Sequence, residues 1–231
     1  MRTRTLPGTD LELSVVGMGC WAIGKTYWGD DVEDATSVEA IHAALDAGIN
    51  WFDTAPLYGE GHADRVLRDA LKGRSERAVI ATKIGVALKG SSGHAESQLD
   101  AAHLRSDLEA SLRRLDRETL DLVQVHWPCQ HGTPLEETFT TLQELKNEGK
   151  VRHIGVCNYG PEALDELTNY ADVISLQTPY SLLRRELEQA HLPVIERRGL
   201  GVLAYEPLCR GLLTGKYLKE AAAIDSFQAR P

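Results

Sequence analysis

The stretch from residue 120 to residue 158, LDLVQVHWPCQHGTPLEETFTTLQELKNEGKVRHIGVCN, decides the fold class of this chain. Two short runs of apolar residues, 120–127 and 152–158, enclose a predicted helix, 134–148, that ends at Gly149. A strand, a helix and a second strand in this order form a βαβ unit. Strand-helix units of this kind, repeated along the chain, are typical of a parallel sheet covered by helices.

The same alternation of strands and helices extends in both directions along the chain. The first residues predict a small β-hairpin that turns at GTD and runs into GMGCW. The predicted helices are 33–47, 62–72, 98–115, 134–148, a short one that Pro161 opens, and 185–198. The predicted barrel strands are 15–20, 49–55, 78–83, 120–127, 152–158, 173–178 and 201–206.

This order of elements favours an α/β fold of the (β/α)8 TIM barrel type with an N-terminal β-hairpin. No GxGxxG follows the first strand, which makes a Rossmann sheet the less favoured alternative. No linker divides the chain, so we predict one domain over residues 1–231. A closed barrel has eight strands in about 250 residues. With seven strands found before Pro231, we expect a C-terminally incomplete barrel that lacks the eighth strand and the C-terminal segment.

Composition narrows the function classes. A net charge of −9 argues against nucleic-acid binding and against an anionic membrane surface. No apolar run is long enough for a membrane span or a signal peptide, so we predict a cytoplasmic protein. The cysteines form no CxxC pair and are expected to be buried thiols of a reducing compartment: Cys20, Cys129, Cys157 and Cys209.

Polar residues end several of the predicted strands. Asp53, Lys83 and His126 each close an apolar run, and Tyr58 follows Asp53 by five residues. Because the carboxyl ends of parallel strands lie on one face of a barrel, we expect these side chains to converge. The sequence therefore predicts an acid-base site.

The chemistry of these groups suggests protonation of an oxygen. We expect the Lys83 ammonium to lower the pKa of Tyr58 from its usual value near 10 toward neutrality, which would make the phenol a general acid. Asp53 would serve as counter-ion of Lys83, and His126 would donate a hydrogen bond to a substrate carbonyl.

No side chain in the sequence supplies a nucleophile. GxSxG, HExxH and paired-carboxylate motifs are all absent, so the predicted site needs a cofactor, and a nicotinamide that supplies hydride fits. Asn158 and Gln177 end successive strands and are candidates to hold its carboxamide. Tyr205 ends the next strand and is a candidate to stack on its ring.

Seven motifs resemble those of the aldo-keto reductases, and the similarity runs in order over about residues 3–217. They are GMGCWAIG, FDTAPLYGEG, ATKIG, QVHWP, GVCNY, LQTPYS and YEPLCRGLLTGKY. The sequence is most similar to the bacterial inositol-operon and general-stress branch. The resemblance implies an NADP-dependent oxidoreductase that reduces an aldehyde or ketone, with Asp53, Tyr58, Lys83 and His126 as the catalytic tetrad and Tyr58 as proton donor.

The resemblance also implies the cofactor contacts. The family usually prefers NADPH, and its 2′-phosphate clamp would lie beyond Pro231. Cys157 stands where the family usually has serine, and Cys20 where it usually has threonine, which exchanges a good hydrogen bond for a weak one. The implied NADP(H)-binding residues are Cys20, Trp21, Asp53, Asn158, Gln177, Tyr205, Glu206, Pro207, Leu208, Cys209, Arg210 and Lys216.

Several alternatives stay open at this point. The tetrad residues also have structural readings, as an ion pair, a core histidine and a loop aromatic. A metal site at His126, Cys129 and His131 is disfavoured because no second ligand pair follows. The alternative function is a nicotinamide-binding sensor or regulatory subunit with little turnover. The expected partner is a small carbonyl substrate, whose identity, like the oligomeric state, the sequence leaves open.

Overall fold

Parallel strands dominate the structure, a computed structural model that describes residues 1–25, 32–74, 78–89 and 94–215. In chain order the strands are β1 (Thr3–Thr5), β2 (Glu12–Ser14), β3 (Met18–Gly19), β4 (Trp51–Asp53), β5 (Val79–Ile84), β6 (Val86–Lys89), β7 (His94–Ser97), β8 (Leu120–Val125), β9 (Val151–Cys157), β10 (Val173–Pro179) and β11 (Gly201–Tyr205). The α-helices are α1 (Asp34–Asp46), α2 (His62–Ala70), α3 (Ala101–Leu115), α4 (Leu135–Asn147), α5 (Pro161–Leu167) and α6 (Leu192–Arg198).

Within the described residues, seven strands form one sheet in the order β11-β10-β9-β8-β5-β4-β3, and all neighbours run parallel. Helices follow most of these strands, which gives a TIM-barrel-like α/β fold and confirms the predicted fold class. All seven predicted strands are present. The edges of the sheet are β3 and β11. The expectation that the chain lacks an eighth strand depends in part on residues 216–231, which lie outside the described residues.

The N-terminal hairpin, also predicted, closes the base of the sheet. Strands β1 and β2 pair antiparallel. Leu6, Leu11 and Leu13 beside them are buried against Leu122 and Leu203 on the inner face of the sheet. Burying a side chain of this size contributes about 1.5–3 kcal/mol to stability. The three leucines therefore hold the hairpin firmly against the sheet.

The helices bury one face against the sheet, as their spacing predicts. In α3, Leu104, Leu108, Leu112 and Leu115 are all buried. The Asp100 carboxylate caps this helix by accepting from the His103 N–H over 3.0 Å, and the helix begins there rather than at residue 98. In the described part of the chain, no helix is both long and apolar enough to cross a bilayer.

Two elements differ from the prediction. The antiparallel hairpin of β6 and β7 stands between β5 and α3, where no element was expected. The predicted helix 185–198 is a π-helical turn, Leu187–His191, followed by α6. Pro193 lies in the first turn of α6, and because proline has no N–H, it interrupts the regular α-helical hydrogen bonding there.

Candidate active site

Lys83 is the centre of the candidate site. It lies on β5, 2% exposed, and its Nζ donates to Asp53 Oδ2 over 2.6 Å and to the Tyr58 hydroxyl oxygen over 3.1 Å. Its third proton goes to the Thr54 carbonyl oxygen, 3.1 Å away. An ammonium has three protons to donate, and all three are therefore used. The structure brings Asp53, Tyr58 and Lys83 together, as the strand-end argument predicts.

His126 completes the group. It follows β8, is buried, and its ring lies edge-on to the Tyr58 ring with 6.1 Å between centroids. Burial, helped by the Lys83 ammonium, holds the pKa of His126 well below its usual value. The imidazole is therefore neutral at neutral pH and carries one N–H, which suits a hydrogen-bond donor toward a carbonyl oxygen.

The electrostatics of Tyr58 differ from the sequence-based expectation. Burial raises the pKa of Tyr58 to about 12, because it outweighs the opposing effect of the Lys83 ammonium. The expectation that the phenol titrates near neutrality is therefore wrong for this chain. For Lys83, burial lowers the pKa, but Asp53 and Tyr58 more than offset it, so that the net direction is upward and the ammonium stays charged.

The second carboxylate oxygen of Asp53 accepts from side-chain amides. Gln177 donates to Oδ1 through Nε2 over 2.8 Å, and Gln124 approaches the same oxygen at 3.4 Å. Gln124 is fully buried on β8 and was not among the predicted site residues. A polar side chain two positions before His126, on the same face of a buried apolar strand, is the signal that could have identified it.

The residues predicted to hold a carboxamide lie next to the tetrad. Asn158 has a left-handed backbone, with φ of 63°, and its Nδ2 donates to the His126 carbonyl over 3.3 Å. The Tyr205 hydroxyl donates to Asn158 Oδ1 over 2.8 Å, and the Cys157 thiol to Gln177 Oε1 over 3.6 Å. The Asn158 N–H donates to the Gln177 carbonyl oxygen over 3.0 Å, and this backbone bond links the Asn158–Tyr205 pair to the set of Asp53, Gln177 and Cys157.

A cleft lies between the two edge strands of the sheet, β3 and β11, and of the tetrad only Asp53 lines it. Its volume is about 940 Å³, and it lies where the sheet of the described residues is open between β3 and β11, with apolar residues of the N-terminal hairpin and of β11 along much of its lining. The chemistry around it fits a nicotinamide, since neighbouring amides can pair with a carboxamide and an aromatic ring can stack. Residues lining the cleft include Gly19, Asp53, Gln177, Tyr205, Glu206 and Pro207.

The loop after β11, whose residues 206–210 are among the implied cofactor contacts, has an unusual backbone. Glu206, Cys209 and Arg210 all have positive φ. Glu206 is held by Arg184 at 3.3 Å and by Arg210 at 2.8 Å. Leu208 is exposed, and the buried Cys209 thiol lies 2.9 Å from the hydroxyl of the neighbouring loop's Ser181. Two arginines therefore lie at this loop, and both are paired with Glu206. The last predicted contact, Lys216, lies outside the described residues.

The segment with the other predicted cofactor contacts lies beside Asp53. The Cys20 N–H donates to the Asp53 carbonyl oxygen over 2.8 Å, and Trp21 begins the following 3₁₀ turn, Ala22–Gly24. Burial, together with the Asp53 carboxylate, raises the pKa of the Cys20 thiol, so this thiol is neutral and inert. Its position next to Asp53 agrees with a place in the site.

The loop after β8 was weighed as a metal site. The Cys129 sulfur accepts from the backbone N–H of Thr133 over 3.1 Å and of His131 over 3.4 Å, and the His131 ring pairs with Glu96. In the ranges that the structure describes, no three His, Cys, Asp or Glu side chains cluster as a metal site would require. The contacts of this loop are those of a hydrogen-bonded turn.

Comparison with known proteins gives consistent matches. The sequence model of the Aldo/keto reductase family matches residues 15–230. Aldo-keto reductase YhdN of Bacillus subtilis is 40% identical over 222 residues, which cover 95% of this chain and 66% of that protein. The NADH-specific methylglyoxal reductase of Escherichia coli is 35% identical over 95% of this chain and 71% of its own length.

Solved structures agree. The glycerol dehydrogenase AKR11B4 from Gluconobacter oxydans has a TM-score of 0.88 and 42% identity, over 95% of this chain and 68% of that one. The holo form of aldo-keto reductase AKR11C1 from Bacillus halodurans has a TM-score of 0.82 and 31% identity, over 92% and 68% of the two chains. This chain thus spans about two thirds of the length of these proteins.

Proposed function

This chain belongs to the aldo/keto reductase family, and from that premise we propose that it reduces an aldehyde or ketone to the alcohol with a nicotinamide cofactor and with Tyr58 as proton donor. The observation that carries the proposal is the hydrogen bond from the Lys83 ammonium to the Tyr58 hydroxyl oxygen, within an ion pair to Asp53. An ion pair with a purely structural role would not need a phenol hydrogen-bonded to its ammonium. A site that protonates an oxygen needs such a proton donor.

The proton transfer is consistent with the raised pKa of Tyr58. A nicotinamide bound here would supply a hydride to the carbonyl carbon, which would leave the carbonyl oxygen as an alkoxide. An alkoxide is about as basic as hydroxide, and the pKa of its conjugate acid lies well above that of a phenol. A phenol with a pKa of about 12 is acidic enough to protonate it and stays protonated until it is needed. Lys83 then stabilises the phenolate left behind, with Asp53 as its counter-ion.

His126 would orient the substrate. Its neutral imidazole can donate one hydrogen bond to the carbonyl oxygen, which fixes that oxygen and draws electron density from the carbon. A charged imidazolium would be repelled by the Lys83 ammonium in this buried site. The depressed pKa of His126 therefore suits positioning and polarisation, and leaves proton donation to Tyr58.

We propose that Asn158, Gln177 and Tyr205 hold the nicotinamide, and that the loop of residues 206–210 lies along the phosphates. The sequence resemblance favours NADP(H). One relative is named as NADH-specific, so both dinucleotides belong in the test. The alternative of a sensor with little turnover is less well supported, because such a protein does not require the Lys83–Tyr58 hydrogen bond.

The test is turnover by the purified chain, followed as oxidation of NADPH or NADH. The carbonyl panel should include an aromatic aldehyde and methylglyoxal, and glycerol should be tested in the reverse direction, since relatives are named for the last two compounds. Tyr58→Phe should lower kcat by about 10²–10⁴-fold and leave cofactor affinity unchanged.

The matched control is Tyr159→Phe, which also removes one buried phenolic hydroxyl but lies outside the tetrad. It should keep the parent turnover. Full activity in Tyr58→Phe would contradict the donor role. Tight cofactor binding without turnover of any carbonyl would favour the sensor alternative.

A further inference from the structure

The Thr54 carbonyl, which accepts the third proton of Lys83, belongs to a residue that is itself held on two sides. Thr54 follows Asp53 at the end of β4 and is fully buried. Its N–H donates to the Ala81 carbonyl over 2.9 Å, on the neighbouring strand β5. Its hydroxyl donates to Asp64 Oδ1 over 2.7 Å. The direction of the Thr54 carbonyl is therefore set by a backbone bond and by a side-chain bond.

Asp64 carries this link into the helical layer. It lies on α2, with its side chain fully buried, and its Oδ2 accepts from Arg114 Nε on α3 over 3.0 Å. Arg114 in turn donates to the Ser111 hydroxyl over 2.9 Å. A buried carboxylate is costly unless it is paired and hydrogen-bonded, and both oxygens of Asp64 meet that condition.

The path of Arg114 is built for this contact. The side chain passes directly over Gly61, where a Cβ would lie 2.4 Å from Arg114 Cδ. Gly61 also has a positive φ of 75°, a conformation that glycine adopts without strain. The turn that follows Tyr58 thus leaves room for an arginine to reach a buried acid behind the tetrad.

From these contacts we infer that Thr54, Asp64 and Arg114 form a positioning relay, which aims the Lys83 ammonium at the Tyr58 hydroxyl through the Thr54 carbonyl. The three Lys83 N–H bonds have fixed angles between them. Holding one on Asp53 and one on Thr54 leaves the third directed at Tyr58. The relay deepens the proposed function and rests on it, since it matters for turnover only if Tyr58 is the donor.

A purely structural reading is that the Asp64–Arg114 pair only ties α2 to α3. The two readings differ in what the removal of the Thr54 hydroxyl does. Thr54→Val leaves both partners of the ion pair in place but deletes the bond that connects it to the tetrad. Thr54→Ser restores that bond. Thr138→Val is the matched control, because Thr138 is equally buried and donates to the Leu99 carbonyl over 3.1 Å, away from the tetrad.

The first readout needs neither cofactor nor turnover. In the full chain labelled with ¹⁵N-lysine, the buried Lys83 ammonium should give a slowly exchanging NMR signal, assigned by its loss in Lys83→Met. We expect that signal to shift or broaden in Thr54→Val, to return in Thr54→Ser, and to match the parent in Thr138→Val. Arg114→Lys, at a side chain that is 21% exposed, offers a milder change and should give an intermediate shift. A Lys83 signal absent from the parent, or unchanged in Thr54→Val and Arg114→Lys, would overturn the relay.

The second readout is kinetic. Thr54→Val should lower kcat by about 10–100-fold, as small misplacements of a catalytic group do, with cofactor affinity unchanged and with recovery in Thr54→Ser. A folded Thr54→Val chain with a shifted Lys83 signal and unaltered kcat would also overturn the relay. If the Lys83 signal responds to the substitutions as expected but the parent chain turns over no carbonyl, the result would count against the proposed function and not against the relay. The two failures are therefore distinguishable.

Discussion

Gly24 and Gly59 meet backbone to backbone. A Cβ on Gly59 would lie 2.3 Å from the Gly24 carbonyl oxygen, and one on Gly24 would lie 2.6 Å from the carbonyl carbon of Tyr58. The 3₁₀ turn after β3 is therefore packed directly on the turn that carries the proposed proton donor. The tetrad is held from outside by this contact and from inside by the Lys83 hydrogen bonds.

Gly59→Ala is expected to lower both stability and turnover. Gly59 has φ of +64°, and the left-handed conformation costs an L-residue about 1–2 kcal/mol. The clash with Gly24 adds to this and displaces Tyr58. Gly199→Ala is the matched control, because its φ is +66° and nothing lies within 4 Å of its Cβ position. Urea unfolding and kcat should show a larger loss for Gly59→Ala in both quantities. Equal stability losses with unchanged kcat would contradict a role for this contact.

Tyr159→Phe is expected to stabilise the chain. The Tyr159 side chain is 1% exposed, and among the described residues its hydroxyl has no hydrogen-bond partner. An unsatisfied buried polar group costs about 1–3 kcal/mol, so its removal should raise the free energy of unfolding by about 1 kcal/mol. The T-shaped contact of the ring with Phe139, at 5.9 Å between centroids, is retained. A lower unfolding midpoint in urea would show that the hydroxyl has a partner after all.

The stability of the chain should depend on the titration of His126. Burial depresses the pKa of His126 in the folded state, so the unfolded chain binds one more proton once the pH falls below about 6.5. Folding stability therefore decreases as the pH falls through this range, by about 1.4 kcal/mol per pH unit for one proton. His126→Asn removes this dependence. Urea unfolding at about pH 7.5 and about pH 5.5 should show a smaller acid loss in the variant than in the parent, and equal losses would contradict the prediction.

The sequence predicts the fold class and the convergence of the strand-end side chains for one physical reason. Parallel strands place their carboxyl ends on one face, so Asp53, Lys83 and His126 converge although they are far apart in the chain. Strand positions follow from apolar runs, and those runs are local. Contacts of this kind are accessible to pattern reasoning because only strand order is needed to derive them.

What the sequence missed depends on tertiary structure. Asp64 and Arg114 are 50 positions apart, and no local pattern connects them to Thr54. The pKa of Tyr58 could not be predicted from the sequence because it depends on how deeply the phenol is buried. Burial raises this pKa and outweighs the opposing effect of Lys83. The hairpin of β6 and β7 had a weak signal, two short runs around a Gly- and Ser-rich stretch. The roles of the site residues, and the single domain, remain predictions.

Cys157→Ser is expected to strengthen cofactor binding. The Cys157 thiol is buried and reaches Gln177 Oε1 only at 3.6 Å, and a thiol is a weak donor. A serine hydroxyl is a stronger donor, and a gained hydrogen bond contributes about 0.5–1.5 kcal/mol, which corresponds to about twofold to tenfold in the dissociation constant. Gln177 also donates to Asp53, so a stronger hydrogen bond to its oxygen should fix the amide that we place at the nicotinamide.

Titration of the chain with NADPH and NADH, followed by quenching of tryptophan fluorescence, measures the change in cofactor affinity. Cys129→Ser makes the same substitution at a thiol that does not contact Gln177 and should leave the affinity unaltered. Weaker or equal binding in Cys157→Ser would show that the thiol is not the limiting contact.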